Sequence, residues 1–219
     1  FGDEFTALSV IVTSGGEARK LGVPGEQELA GAGVSYCAVC DGAFFKDKDI
    51  AVVGGGDSAL EEGEYLTRYG SKVYLIHRRD EFRASPSLVE RFDESEKTEK
   101  VLDSVVEEIV GDGKVSAVRV KNKVTGEVSE IPVEAVFPFV GFTPYSDIFD
   151  EGMVESDASG HIITDQKMES KTPGIFVAGD VRSQFTRQIA NAVGDATIAA
   201  LAAAAHVDSV KREAAKSAA

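Results

Sequence analysis

Two cysteines separated by two residues are the feature of this sequence best suited to chemistry. Cys37 and Cys40 are the only cysteines among 219 residues, and Asp41 follows them directly. A bond between them would close a very small loop and constrain the unfolded chain little. It would therefore add little to the stability of the fold. The pair suits disulfide exchange instead, because one thiolate can attack a partner while the other resolves the mixed disulfide. Asp41 would then donate or accept the exchanged proton.

Other interpretations of this pair remain open. A zinc site would need two more ligands nearby, and the three histidines, His77, His161 and His206, are scattered along the sequence. Two inert buried thiols are the stronger alternative. Asp41 could likewise be a plain turn residue.

A glycine-rich turn is the second chemical feature. Gly54, Gly56 and Ala59 fit the pattern G-x-G-x-x-A, with Asp57 and Ser58 between them. The first glycine allows a tight turn, the second lets the backbone approach a pyrophosphate, and the small third residue packs the helix on the strand. The helix N-terminus then faces the anion. A glycine turn without a ligand is the alternative, since short glycine motifs are common.

A basic cluster follows the predicted second strand, about 20 residues past the glycines, where an NAD site would place an acidic residue. It consists of His77, Arg78, Arg79 and Arg83. Arginines match a 2′-phosphate, so the cluster predicts NADP(H). A solvated basic patch is the alternative, although the chain as a whole is strongly acidic.

These residues need a strand-helix-strand unit to position them. The sequence predicts strands at residues 49–53 and 72–76 around a helix at residues 58–69. Further strands are predicted at residues 8–13, 114–121, 127–132, 136–140 and 174–178, the second and third of them as a hairpin. Residues 81–100 predict an exposed helix and a solvated turn, residues 189–207 an alanine-rich helix, and residues 211–219 a frayed polar end.

Composition excludes several functions. The formal net charge of −14, from 37 acidic and 23 basic residues, disfavours contact with phosphate backbones and hence nucleic-acid binding. No run of about 18 apolar residues occurs, and the first residues are acidic, unlike a secretory signal. We therefore expect a soluble, cytoplasmic protein without a membrane or nucleic-acid partner.

Six ordered segments within residues 35–190 resemble the low-molecular-weight thioredoxin reductases. They are SYCAVCDGAFF, VVGGGDSALEE, YLIHRRDEFRAS, GFTP, GIFVAGDV and RQIA. Related peroxiredoxin-reductase flavoproteins also carry C-x-x-C, but the HRR cluster favours the thioredoxin-reductase branch.

The resemblance implies an α/β fold with two dinucleotide-binding domains, in which a Rossmann-like NADPH-binding domain is inserted in the C-terminal part of a Rossmann-like FAD-binding domain. The implied limits are residues 1–21 for a remnant of the FAD domain, 22–138 for the NADPH domain with the redox cysteines, 139–207 for the rest of the FAD domain and 208–219 for a polar tail. The implied crossings, residues 20–33 and 136–141, would let one domain rotate against the other.

The same resemblance assigns roles to individual residues. The glycine-turn residues would hold the NADPH pyrophosphate, and the basic cluster would surround the 2′-phosphate. Asp180 would bond the FAD ribityl chain, although a helix N-cap is its alternative role. Further cofactor contacts are expected at Gly141, Arg187, Gln188 and Ile189, the last three beside the isoalloxazine.

The implied activity is transfer of electrons from NADPH through FAD and the Cys37–Cys40 disulfide to oxidised thioredoxin, by a homodimer. Cys40 would face the flavin and Cys37 would attack the partner. Two alternatives remain open: an NADP(H)-binding module without reductase activity, and a reductase of another small dithiol protein. The resemblance also implies an upstream glycine turn for the ADP part of FAD, so we expect weak FAD binding or none from a chain that starts at Phe1.

Overall fold

The computed structural model of the chain describes residues 2–217 and divides into two compact units. The central unit comprises residues 18–141, and the terminal unit comprises residues up to 17 and from 142 onward. The chain therefore changes unit after Glu17 and again after Gly141. The domain limits expected from the resemblance remain a prediction.

The secondary structure is mixed α and β in both units. In chain order the strands are β1 Val10–Val12, β2 Gly16–Ala18, β3 Asp49–Gly54, β4 Lys72–Ile76, β5 Thr98–Val101, β6 Ser104–Gly111, β7 Val115–Asn122, β8 Val128–Pro132, β9 Ala135–Phe139, β10 Phe142–Pro144 and β11 Ile175–Val177. The helices are α1 Ala38–Asp41, α2 Asp57–Leu66, α3 Pro86–Asp93 and α4 Ile189–Ser217, and a 3₁₀ turn at Gly42–Phe45 follows α1.

The central unit is built on a parallel sheet of order β5-β4-β3-β9. Every residue of β3 after Asp49 is buried, which is typical of a parallel strand covered on both faces. The strand-helix-strand unit predicted from the sequence is confirmed as β3, α2 and β4.

Two hydrophobic cores cover the two faces of this sheet. On one face, Val52 packs in a cluster with Leu60 of α2 and Phe92 of α3. On the other, Val53 packs in a cluster with Ile76 and with Val118 of the neighbouring antiparallel sheet. Alternate residues of β3 therefore serve opposite cores, as the period of two in a strand requires.

The second sheet of the central unit is antiparallel, with the order β6-β7-β8. The predicted hairpin is confirmed as β7 and β8, but β6 was not predicted. Its register shifts between Val106 and Glu108, so the alternation of apolar and polar residues is broken inside the strand.

The terminal unit pairs β1 with β11 in parallel and packs α4 against them. Phe176 of β11 shares a buried cluster with Ala199 and Ala203 of α4. The helix runs to Ser217, beyond the predicted residues 189–207, because its polar last turns are rich in good helix formers. Ala218 and Ala219 of the predicted frayed end lie outside the described residues.

Helix α4 is also the one helix of residues 2–217 with the length and hydropathy that a membrane span requires. This follows from length and composition only, and a single helix of this kind is weak evidence for a span. Asp195, in its second turn, is buried against the rest of the terminal unit.

Gly25 and Gly22 both have positive φ, +84° and +74° respectively, but differ in their surroundings, so comparing them isolates the effect of packing in the central unit. A Cβ at Gly25 would overlap the Ile109 carbonyl, whereas a Cβ at Gly22 would meet nothing within 4 Å. Gly22→Ala should lower the free energy of unfolding by about 1–2 kcal/mol, the cost of a left-handed backbone. Gly25→Ala should cost about 1–3 kcal/mol more, through overpacking. Urea unfolding of both variants checks this, and equal losses would contradict the packing described.

Candidate functional site

Cys37 and Cys40 form a disulfide at the start of α1. Cys37 is the N-cap of this short helix, and its Sγ accepts a hydrogen bond from the Cys40 amide at 3.1 Å. Cys37 is half-buried and Cys40 is exposed. The pair is therefore an accessible disulfide rather than two inert buried thiols. Within residues 2–217, no three His, Cys, Asp or Glu side chains are grouped so as to hold a metal ion.

Asp41 is held beside the disulfide by Ser35, which the sequence analysis missed. The Ser35 hydroxyl donates to Asp41 Oδ2 at 2.6 Å and accepts from the Cys37 amide at 3.2 Å. The Asp41 amide in turn donates to the Cys37 carbonyl at 3.1 Å. One buried serine thus ties the carboxylate and the first cysteine together, and nothing in the sequence pattern marked it.

A cavity of about 540 Å³ opens beside Asp41 in the central unit. Phe44, Phe45 and Ser35 line part of it. Lys48 and Glu134 also line it, and their side chains form an ion pair with an N–O distance of 3.4 Å. An apolar wall, an ion pair and an acidic residue therefore line one cavity, and the acidic residue, Asp41, directly follows Cys40.

The glycine turn at the end of β3 has three sterically different positions. A Cβ at Gly54 would press on the Phe139 carbonyl and on Ala59, and one at Gly55 would overlap the His77 ring. A Cβ at Gly56, the N-cap of α2, would meet nothing within 4 Å. The first two glycines are thus required by packing within the protein. The third leaves the helix N-terminus open, which is the arrangement that an approaching pyrophosphate needs.

Hydrogen bonds join the loop after β4, which carries the basic cluster, to this glycine turn. The Arg83 amide donates to the Gly55 carbonyl at 2.8 Å, and the Ser85 amide donates to Asp57 Oδ1 at 2.8 Å. Arg78, Arg79 and Arg83 all have exposed side chains. Their guanidinium groups are therefore available to a phosphate near the glycine turn.

His77 differs from the arginines that follow it. It is 7% exposed, its Nε2 lies 3.2 Å from the Glu81 carbonyl, and its ring packs beside Phe82. Burial lowers the pKa of His77, and the Arg78 and Arg79 charges lower it further, so the ring is neutral near pH 7. We infer that His77 supports the basic loop through its contacts with the Glu81 carbonyl and Phe82. Its contact with a 2′-phosphate stays a prediction.

The terminal unit carries the residues expected near a flavin. Asp180 follows β11 and Gly179, and its Oδ1 is buried without a hydrogen-bond partner, as is Nε of Arg187. Helix α4 begins only at Ile189, so Asp180 does not cap it. Gln188 and Ile189 are exposed at its start.

Gly141 lies at the end of the central unit, where its carbonyl accepts from the Arg19 amide at 2.9 Å. Its φ of +127° is one that residues with side chains rarely adopt. A Cβ there would lie 3.1 Å from Arg19 Cδ. Gly141 thus permits the close approach of two chain segments.

An ion pair between buried Asp195 and half-buried Arg182 supports the turn at Asp180, and the sequence alone did not reveal it. Asp195 receives two bonds of 3.0 Å from the Arg182 guanidinium and one of 3.1 Å from the Gly179 amide. Gln184 bridges Arg182 and the Gly179 carbonyl. This network fixes the backbone on both sides of Asp180.

Comparisons with known proteins place this constellation in a family. Residues 2–196 match the family described as pyridine nucleotide-disulphide oxidoreductase. The thioredoxin reductase of Listeria innocua is 49% identical over 208 residues, 94% of this chain and 65% of that protein. The structure of the Lactococcus lactis thioredoxin reductase is 47% identical, with a TM-score of 0.68 over 94% of this chain and 68% of that one. The chain belongs to the thioredoxin reductase family.

A second solved structure supports the assignment. Thioredoxin reductase from Streptococcus pyogenes has a TM-score of 0.86 at 46% identity, over 92% of this chain and 66% of that one. The resemblance and the α/β fold class predicted from the sequence are thereby confirmed. The chain spans 65% of the length of the Listeria innocua relative.

Thioredoxin reductases are FAD-containing and NADPH-dependent, and the described residues fit both groups. The open helix N-terminus at Gly56 and the exposed arginines suit a phosphorylated dinucleotide. The unpartnered atoms Asp180 Oδ1 and Arg187 Nε suit a ligand that carries hydroxyl groups and acceptors.

The Arg182–Asp195 pair yields a stability prediction. Asp195→Ala should lower the free energy of unfolding by about 2–3 kcal/mol, because it removes the carboxylate that the half-buried Arg182 guanidinium and the Gly179 amide both contact. Asp93→Ala is a matched control: it breaks the more exposed pair with Lys100 and should cost below about 1 kcal/mol. Chemical denaturation of both variants measures the difference. Losses of similar size would show that the buried pair does not hold the Asp180 turn.

Proposed function

We propose that this protein passes electrons from NADPH through FAD and the Cys37–Cys40 disulfide to oxidised thioredoxin. The observation that carries the proposal is the accessible disulfide, with an acid beside it, in the same unit as an open nucleotide turn. Ala38, between the cysteines, belongs to the same buried cluster as Ala59 of that turn. We assign residues 22–138 to NADPH binding and residues 1–21 and 139–207 to FAD binding.

The residues of the central unit account for the disulfide chemistry. Two electrons and two protons convert the Cys37–Cys40 disulfide to two thiols, and FAD, when bound, would relay those electrons from NADPH. The Asp41 carboxyl, held by Ser35, exchanges a proton with the sulfurs. The Cys37 thiolate attacks the partner disulfide and forms a mixed disulfide. Cys40 attacks Cys37 Sγ, which releases the reduced partner and restores the disulfide.

Exposed apolar side chains and a cavity near the disulfide support the proposal that the substrate is a protein. Val39 and Phe44 are 57% and 79% exposed on either side of Cys40, and the cavity beside Asp41 can receive a side chain. These two side chains offer a partner protein apolar surface to bury near Cys40. We further propose that the protein acts in the cytoplasm as a homodimer, without a membrane or nucleic-acid partner, as the family likeness and the acidic surface favour.

The two cysteines should differ in how they trap the substrate. With reduced protein and oxidised thioredoxin, Cys40→Ser should accumulate a mixed disulfide through Cys37, because no resolving thiol remains. Cys37→Ser should accumulate far less and should lose thioredoxin turnover. Intact-mass spectrometry under non-reducing conditions counts the adduct. Turnover retained in Cys37→Ser would refute the proposed roles, while colourless protein that still binds NADPH would favour a binding module without reductase activity.

The arginines should set the cofactor preference. Arg78 and Arg79 changed together to Ala should weaken NADPH binding about 100-fold, since each charge-assisted hydrogen bond contributes about 1.5 kcal/mol. NADH, which lacks the 2′-phosphate, should bind nearly unchanged. Titration calorimetry with both dinucleotides tests this, with Arg68→Ala, an exposed arginine of the same unit, as control. Equal losses for the two dinucleotides would remove the assignment.

A further inference from the structure

A buried histidine of the terminal unit contacts an arginine that the proposed function places near the flavin. His161 is 3% exposed, and its Nε2 lies 2.8 Å from Arg187 Nη2. The imidazole stacks on Phe142 with ring centres 5.8 Å apart and planes 16° from parallel. The Arg187 guanidinium lies 5.2 Å from the centre of the same ring. Three side chains that are distant in sequence thus form one packed group.

The contact defines the protonation state of His161. A guanidinium can only donate, so Nε2 must accept, and the imidazole is neutral with its proton on Nδ1. That atom faces Asp157, whose Oδ1 lies 3.6 Å away, beyond a hydrogen bond. The Asp157 carboxylate is itself engaged by the Ser183 hydroxyl at 2.7 Å and by the His161 amide at 3.1 Å.

The charges around His161 favour this neutral form. Burial lowers the pKa of His161 most, and the Arg187 charge lowers it further, while Asp157 and Asp180 oppose them. The other nearby cation, Arg182, is neutralised by its pair with Asp195. The three charged groups that act on the imidazole are therefore one arginine and two carboxylates.

We propose that neutral His161 is a positioning residue that holds the Arg187 guanidinium on Phe142, and that acidification releases this arginine. The proposal rests on the proposed function, in which Arg187 contacts the flavin and the position of its guanidinium therefore matters. A protonated imidazole would direct an N–H at the guanidinium and set two cations 2.8 Å apart. The hydrogen bond would then be replaced by repulsion.

The sign of the pH dependence follows from the lowered pKa. In the unfolded chain a histidine titrates near pH 6.5, and in the folded protein His161 binds its proton only at lower pH. The unfolded state therefore binds more protons, and stability falls as the pH drops below about 6.5. His77 shifts in the same direction, so the effect of His161 is obtained from the difference between the wild type and His161→Gln, which both retain His77.

The experiment follows the Arg187 side-chain N–H signals by NMR between pH 8 and pH 5. In the wild type they should be protected at pH 8 and lost on acidification, in step with the His161 imidazole signals. His161→Gln should keep them protected over the whole range, because an amide oxygen accepts and does not titrate. His161→Leu should lose them at every pH. Arg187→Met should raise the His161 midpoint, whereas Lys167→Met, which removes an exposed charge of the same unit, should not.

Two results would overturn the proposal: Arg187 signals that do not depend on residue 161, or a His161 midpoint unchanged in Arg187→Met. Backbone amide spectra of each variant establish that the fold is retained. Titration calorimetry with NADPH is a separate arm. If neither the wild type nor any variant binds NADPH while the NMR results hold, the proposed function fails and the positioning role of His161 stands.

Discussion

Strand β3 has no polar side chain between Ile50 and Gly54, so both of its faces must be covered by other elements. Helix α2 covers one face, and its start is set by the glycine turn that ends the strand. The antiparallel sheet covers the other face. Because β4 lies parallel to β3, its exit delivers the arginines to the same edge as the glycines. The proposed nucleotide site is thus a geometric consequence of burying one strand.

The redox site depends on the same core. Ala38 is fully buried in the cluster that contains Leu60 and Val52, which anchors α1 and the cysteines on either side of it. Cys37 stays half-buried and Cys40 exposed, because Ala38 is the residue of α1 that packs into the core. The chemistry of exchange needs both properties, a fixed helix start and an exposed thiol, and one alternation of buried and exposed residues supplies them.

Buried polar groups in the terminal unit are of two kinds. Those that shape the backbone are paired, as Asp195 is with Arg182 and the Gly179 amide. Others lack a hydrogen-bond partner, and they include Ser9 Oγ, Thr164 Oγ1, His161 Nδ1, Asp180 Oδ1 and Arg187 Nε. Since an unpaired buried polar atom is costly, those of Asp180 and Arg187 support the proposal that a flavin binds beside them.

By itself, the sequence determined the cysteine spacing, the glycine turn, the basic cluster and the strand-helix-strand unit, because each is encoded within a short local pattern. Only the tertiary structure decided the contacts of Ser35 and His161, the burial of His77 and the existence of β6. Ser35 and His161 act on partners brought close by folding, and His77 is set apart from its arginine neighbours by burial. Long-range packing decides such contacts and burial, and local periodicity carries no record of either.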